Sequence, residues 1–287
     1  MNAFDYQATR RRFLAASALA AVTSAGAASP AEDAAPAAKR HPHKYEELLP
    51  EEFYEEQRRA PIIYLPIGAP EEHGLQSVLA VDPWTAYEAC LRAVAISGGI
   101  VYPIIPFAPA GLPPWSREQL RDGAHDAAPP SCFISVELCR SLYIELMESL
   151  ADLGFKSCIA CSGHYPGDVL LQEMQKELQG TVRGMKFWGG GPASLLRDAT
   201  DKLEEKQPLI GGHGMMLETS IVRALHEHWV DLSRVERIKD SPISHQLKNQ
   251  SSERLAAIRT ANAELGNWFL NLAAERLAEL AVQLLKS

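Results

Sequence analysis

Four short runs of consecutive apolar residues recur along the chain, at Pro61-Ile62-Ile63-Tyr64-Leu65-Pro66-Ile67, Ile100 to Phe107, Lys156 to Ser162 and Val182 to Trp188. Runs of this length predict strands buried on both faces. Between them the apolar positions change to helical spacing. Pro83 to Ser97 has Pro in its first turn after Asp82, Val136 to Leu153 stops at Gly154, and Val169 to Leu178 stops near Gly180. Strand followed by helix, repeated, predicts an α/β fold with a mostly parallel sheet. From Glu253 to Leu285, Leu, Ala, Ile and Phe again recur at helical spacing, which predicts one or two amphipathic helices packed on the domain or on a partner subunit.

Two stretches break the alternation. Residues 106–131 are proline-rich and read as a long irregular loop, which in a compact domain usually covers a site or is disordered. Residues 28–44, rich in Ala, Pro and charge, read as a flexible linker, so the folded unit is expected at 45–287. Ahead of the linker, Thr9-Arg10-Arg11-Arg12-Phe13-Leu14 precedes a mild apolar run, Ala15 to Val22, and Ala25-Gly26-Ala27 resembles a cleavage site. Residues 1–27 are therefore expected to be a twin-arginine-type export signal, which would make the protein periplasmic or secreted. The run is shorter than the roughly 20 apolar residues needed to span a bilayer. No stable membrane insertion is expected once the signal is cleaved.

Composition then narrows the function classes. The 287 residues carry 28 Lys+Arg against 36 Asp+Glu, a net charge of −8. That sign disfavours nucleic acid and anionic bilayers as partners. Cleavage after Ala27 would remove three arginines and one aspartate and deepen the charge to −10. Five cysteines cannot all pair. Cys158-Ile159-Ala160-Cys161 lies in a predicted strand, where residues three apart face opposite ways, so it is not expected to act as a redox pair.

Four segments bring metal-type ligands to strand ends or to the turns beyond them: Gly68-Ala69-Pro70-Glu71-Glu72-His73-Gly74, then Asp82, then Ser162-Gly163-His164-Tyr165, then His213 with Glu218-Thr219-Ser220. In open α/β sheets the ligand crevice lies beyond the carboxyl ends of the strands, so these segments can converge. A mixed carboxylate and imidazole set suits Zn²⁺ or Mn²⁺, and a carboxylate such as Asp82 can bridge two ions. Each residue also has a plainer reading. Asp82 before Pro83 fits a helix N-cap. Glu71 and Glu72 fit solvated charge, His73 and His164 fit turn histidines bonded to backbone, and His213 fits a helix start. Glu218 fits a surface partner of Arg223 or Lys202, and His226-Glu227-His228 fits an exposed helix end.

Taken in order, these residues resemble the creatininase (creatinine amidohydrolase) family. Its first motif, Gly-Ser-x-Glu-Gln-His-Gly with Asp nine residues after the His, appears as Gly68 to Gly74 with Asp82. Ser116-Arg117-Glu118, Phe133-Ile134-Ser135, Gly154-Phe155-Lys156, Ser162-Gly163-His164 and His213 with Glu218-Thr219-Ser220 follow in the family's order. The resemblance implies a three-layer α/β/α fold and one or two divalent ions, Zn and/or Mn, held by Glu71, His73, Asp82 and His164. It also implies that Tyr165, Trp188 and His213 bind substrate, and that the chain forms a homo-oligomer, a hexamer by analogy.

The chain also departs from the pattern. Leu75-Gln76-Ser77-Val78 follows the first motif in place of Pro-His-Leu-Pro, and Met215 and Met216 replace a Gly-Glu pair. Pro166 stands where the family has a carboxylate ligand for the second ion, so Glu218 or Asp168 must replace it, or that site is weak or empty. The resulting expectation is a metal-dependent amidohydrolase that cleaves a cyclic or other non-peptide C–N bond of a small molecule, with Glu218 or His213 passing a proton to the leaving nitrogen. Alternatives are an exported small-molecule binding protein without turnover, or a hydrolase of formamide or peptide bonds.

Overall fold

A computed structural model describes residues 40–111, 118, 130–243 and 247–287. The expected export signal, most of the linker, the Ser116-Arg117 pair and the middle of the proline-rich stretch lie outside these residues. Arg40–Ser287 forms one compact unit.

Its first elements are helix α1 (Pro50–Arg59), strand β1 (Ile62–Ile67), helix α2 (Val81–Ser97) and strand β2 (Ile100–Val101). Helix α3 (Val136–Asp152), strand β3 (Ser157–Ser162), helix α4 (Tyr165–Glu177) and strands β4 (Thr181–Val182) and β5 (Met185–Gly190) follow. The chain continues through α5 (Pro192–Leu195), α6 (Arg197–Lys206), α7 (Met216–Leu225), α8 (Ser252–Ile258) and α9 (Ala263–Lys286). The sheet order is β2-β1-β3-β5-β4. All pairings are parallel except the β4–β5 hairpin.

The apolar runs work as the pattern predicts. Ile63, Leu65, Ile67, Cys158 and Ala160 face α1, α3 and α4, whereas Ile62, Tyr64, Ile159 and Cys161 face α2 and α9. This is the α/β/α sandwich. Ile62, Ile63, Leu65 and Ile67 are at most 1% exposed, and burying each contributes about 1.5–3 kcal/mol. Cys158 and Cys161 point into opposite layers. On the α9 side, Ala273, Ala274, Ala278 and Ala281 are buried and let that helix lie close against the sheet and α2. The C-terminal periodicity thus resolves into α8 and α9, and α9 packs on its own domain. No helix among the described residues is long and apolar enough to cross a membrane.

Three boundaries differ from the sequence reading. The Ile100 to Phe107 run stops pairing regularly after Val101, because Pro103 and Pro106 supply no N–H to a ladder; only Ile105 makes a further bridge, to Ile67. The Val182 to Trp188 run is broken by Arg183 and Gly184, both at positive φ. That two-residue loop closes the β4–β5 hairpin. The fold also begins before Tyr45: the His43 carbonyl accepts from Val101 N (2.8 Å) and Lys44 bridges to Val101.

Candidate metal centre

The parallel register of β1 and β3 sets Ile67 beside Ser162, so the turns leaving the two strands start side by side. Both turns open with glycine for a steric reason. A Cβ on Gly68 would meet Asp82 C at 2.8 Å, and one on Gly163 would overlap the carbonyl of Asp82. The N-terminus of α2 therefore rests on two glycines, which places Asp82 between the strand ends. Asp82 is not the helix cap: Ala80 is the N-cap and Asp82 lies inside the first turn, 3% exposed.

Asp82 presents one oxygen to each of two histidines. Its Oδ1 is 3.0 Å from His73 Nε2 and its Oδ2 is 2.9 Å from His164 Nδ1. Glu71 Oε2 joins the second group at 3.0 Å from His164 Nδ1, and Glu218 Oε2 joins the first at 3.7 Å from His73 Nε2. Two compact donor sets result, Glu71–Asp82–His164 and His73–Asp82–Glu218, sharing Asp82. A third grouping, Glu71–His73–His213, brings in His213, whose ring lies 4.2 Å from that of His73.

The far side of each imidazole is held by backbone. His73 Nδ1 faces Glu71 O (3.1 Å), His164 Nε2 faces Pro109 O (3.0 Å) and His213 Nε2 faces Glu72 O. A carbonyl only accepts, so each of these nitrogens carries a proton and the other nitrogen is aimed at the carboxylates. Metal-ligating histidines characteristically have such an outer partner. His73 Nε2 is buried and, although 3.0 Å from Asp82 Oδ1, makes no well-directed hydrogen bond to it or to any other described residue. An unsatisfied lone-pair donor beside two carboxylate oxygens fits a divalent cation.

The charges of the metal-free cluster tell the same story. Burial opposes a charged imidazole at His73, but Asp82 and Glu218 outweigh it and hold its pKa well above the usual value. His164, likewise buried, is pushed up to about 10 by Asp82 and Glu71. Burial also disfavours ionised Asp82, yet His73 and His164 keep it well below the usual carboxylate range. Protons thus stand where cations would bind. Burial and the charge of His73 lower His213 to about 4, so its ring is neutral at pH 7.

Glu218, at the start of α7, reaches His73, whereas Asp168 is buried on α4 and bonds Gln172 Nε2 (2.7 Å) and Ser194 Oγ (3.0 Å) through Oδ1. Glu71 and Glu72 are both 3% exposed and so are not solvated charge; Glu72 Oε1 accepts from Gly74 N. Tyr165 stands exposed at the cavity wall. Trp188 is not brought to the centre. It lies on β5 above a separate groove lined by Gln172, Gln175 and Lys176. His226 and His228 are exposed, in a short turn beyond α7.

Gln76, which the motif comparison marked only as a departure, proves to be a clamp. Its Nε2 donates to His73 O (3.0 Å) and Gly214 O (2.8 Å), tying the first motif to the His213 loop. A lone Gln in a turn carries no such signal in sequence.

Similarity to known proteins agrees with this geometry. A creatinine amidohydrolase of Pseudomonas putida is 22% identical over 242 residues, 76% of this chain and 87% of that protein. A creatininase crystal structure superposes with a TM-score of 0.63 at 20% identity, covering 84% of this chain and 96% of the other; a Zn–Zn form of a creatininase variant gives 0.62, covering 82% and 95%. A putative creatinine amidohydrolase of Bacteroides fragilis gives 0.59 at 17% identity, covering 85% and 97%. The sequence profile of the family described as creatinine amidohydrolase matches residues 46–281, and on that match the chain belongs to the creatininase family.

Proposed function

We propose that the protein is a metal-dependent amidohydrolase that cleaves a cyclic or other non-peptide amide C–N bond of a small molecule. One observation carries the reading: the two oxygens of Asp82 face His73 and His164 separately, and Glu218 completes the side that Pro166 leaves without a ligand. Glu71, Asp82 and His164 would hold one ion; His73, Asp82 and Glu218 would hold the other. Ions bound there would lower the pKa of water toward 7 and would polarise a substrate carbonyl.

The chain's own residues supply the rest. His213 is neutral at pH 7 and its Nε2 is committed to Glu72 O, so its Nδ1, 3.9 Å from Glu71 Oε2, is the free base facing the cluster. It takes a proton during attack and returns it to the leaving nitrogen, a role typically contributing about 10²- to 10⁴-fold. Glu218 is less suited to this, since its Oε2 also accepts from Gly214 N (2.5 Å). Tyr165 stands at the wall where its ring and hydroxyl can orient substrate. The cavity of about 430 Å³ matches a small molecule.

The test is metal analysis of the purified protein together with hydrolysis of a γ-lactam, a formamide and a dipeptide. One to two Zn or Mn ions per chain and lactam cleavage abolished by His73→Ala or Asp82→Ala are expected. Well under one ion per chain, or variants as fast as the parent, would overturn the reading. Export through the Arg10-Arg11 signal is proposed as well. Changing both to Lys should retain the protein in the cytoplasm on fractionation, and unaltered export would refute it. Homo-oligomerisation, a hexamer by analogy with the family, is a further proposal that light scattering tests.

A further inference from the structure

The cavity beside the Glu71–Asp82–His164 cluster is also lined by α6, and its charge is one-sided. Among its described lining residues are six carboxylates and no Lys or Arg. Glu71, Asp82 and Glu218 belong to the metal cluster; Asp168, Asp201 and Glu204 do not. Thr200, Asp201 and Glu204 lie at positions i, i+1 and i+4 of α6, so one face of that helix forms the wall. The side chains of Asp201 and Glu204 are exposed and make no hydrogen bond or ion pair among the described residues. The Glu204 carboxylate packs onto Gly211, two residues before His213, which links this wall to the catalytic loop. Arg254 donates to the Gly211 carbonyl (2.8 Å) but pairs with neither acid and does not line the cavity.

A third group points the same way independently. Asp168 is 1% exposed, lines the same cavity and leaves its Oδ2 without a hydrogen-bond partner among the described residues. Gly191 lies against that oxygen: a Cβ there would fall 2.9 Å away. Two exposed carboxylates and the free oxygen of a third, buried one thus give the cavity acceptors that a cationic group can pair with. Ile210, Leu217 and Phe269 add apolar surface to the same cavity.

We infer that the Asp201–Glu204 face of α6 selects amides that carry a cationic group, a protonated amine or amidine, at the end remote from the scissile carbonyl. The inference rests on the amidohydrolase reading and adds a substrate class to it. In the reaction, water adds hydroxyl to the carbonyl carbon and a proton to the amide nitrogen as the C–N bond breaks; the cation takes no part and only anchors the molecule.

The test uses the zinc-loaded protein and two five-membered cyclic sulfones, one amino-substituted and one unsubstituted, neither of which has an amide to cleave. The amino-sulfone should bind more tightly, by roughly 2- to 30-fold for two partly exposed charge pairs. Added salt should narrow the gap. The double substitution Asp201→Asn with Glu204→Gln should abolish it by weakening the amino-sulfone alone, with the affinity of the unsubstituted sulfone and the zinc content unchanged. In turnover, the same variant should raise KM for an amino-substituted γ-lactam and spare kcat, with no change for the unsubstituted lactam. Equal sulfone affinities in the parent, or a preference that survives the double substitution, would overturn the inference. So would loss of one zinc per chain in the variant, which would make the pair a cation site instead. If lactams are cleaved without charge preference, the inference fails and the amidohydrolase reading stands. If no lactam is cleaved but the sulfones are discriminated, the reverse holds.

Discussion

Glu218→Gln tests the carboxylate that, in the proposed reading, stands in for the ligand missing at Pro166. The substitution keeps the shape of the side chain and its acceptor for Gly214 N but removes the charge 3.7 Å from His73 Nε2. Removing one partner of a fully buried charge pair costs about 3–5 kcal/mol. The Glu218 side chain is 31% exposed, so solvent screening reduces this to about 2–3 kcal/mol, a roughly 30- to 150-fold weaker dissociation constant. The loss should fall on one ion only, because Glu71, Asp82 and His164 are untouched. Metal analysis after dialysis should drop from about two ions per chain toward one, and calorimetric titration should show one tight and one weakened site. Pro166→Glu in the same background should restore the second ion, since a carboxylate in the first turn of α4 is also favoured by the helix dipole. Loss of both ions together, or two sites of parental affinity, would refute the assignment of Glu218 as the replacement ligand.

Four further outcomes follow from the same geometry. In the chelator-treated protein the folded pKa of His164, about 10, lies above its ordinary 6.5. Its ion pairs therefore stabilise fully below about pH 6.5, and that stability is lost as pH rises through about 10; denaturant titrations across this range check it, and a gain in stability would contradict it. Because an ion must expel that proton, affinity at the His164 side should improve by up to about tenfold per pH unit over the same window, readable by competition with a chelator. Gly163→Ala forces a side chain against the backbone of Asp82 and should cost about 1–3 kcal/mol and lower the metal content; a fully loaded, equally stable variant would show that the strand–helix contact does not set the site. Trp188→Phe should leave kcat and KM unchanged, and a KM effect on steady-state assay would return Trp188 to the substrate site.

The sequence was most readable where one physical signal dominated. β1 and β3 are buried on both faces, so their apolar runs had no competing reading, and the glycines after them marked turns. The convergence of Glu71, His73, Asp82 and His164 was legible because their spacing was informative jointly. Asp82 taken alone pointed to a cap, and only the packing of α2 on Gly68 and Gly163 shows why it turns inward instead. That Glu218 rather than Asp168 reaches His73 was not legible, since both are near the site in sequence terms and differ in which element carries them. Trp188 failed for a related reason. Proximity along the chain suggested the site, but the hairpin at Arg183-Gly184 and the strand's alternation put its ring over another groove.

The register of β1 against β3 has a kinetic consequence. The donors span the chain from Glu71 to Glu218 and meet only after two parallel strands, joined by a long crossover through α2, β2 and α3, have paired Ile67 with Ser162. A slip of one residue would turn His164 to the other layer. Non-local parallel pairings of this kind form slowly. Chain collapse and sheet pairing must therefore precede capture of the ions, so refolding should run at the same rate with or without a chelator present, and only the unfolding limb should respond to metal.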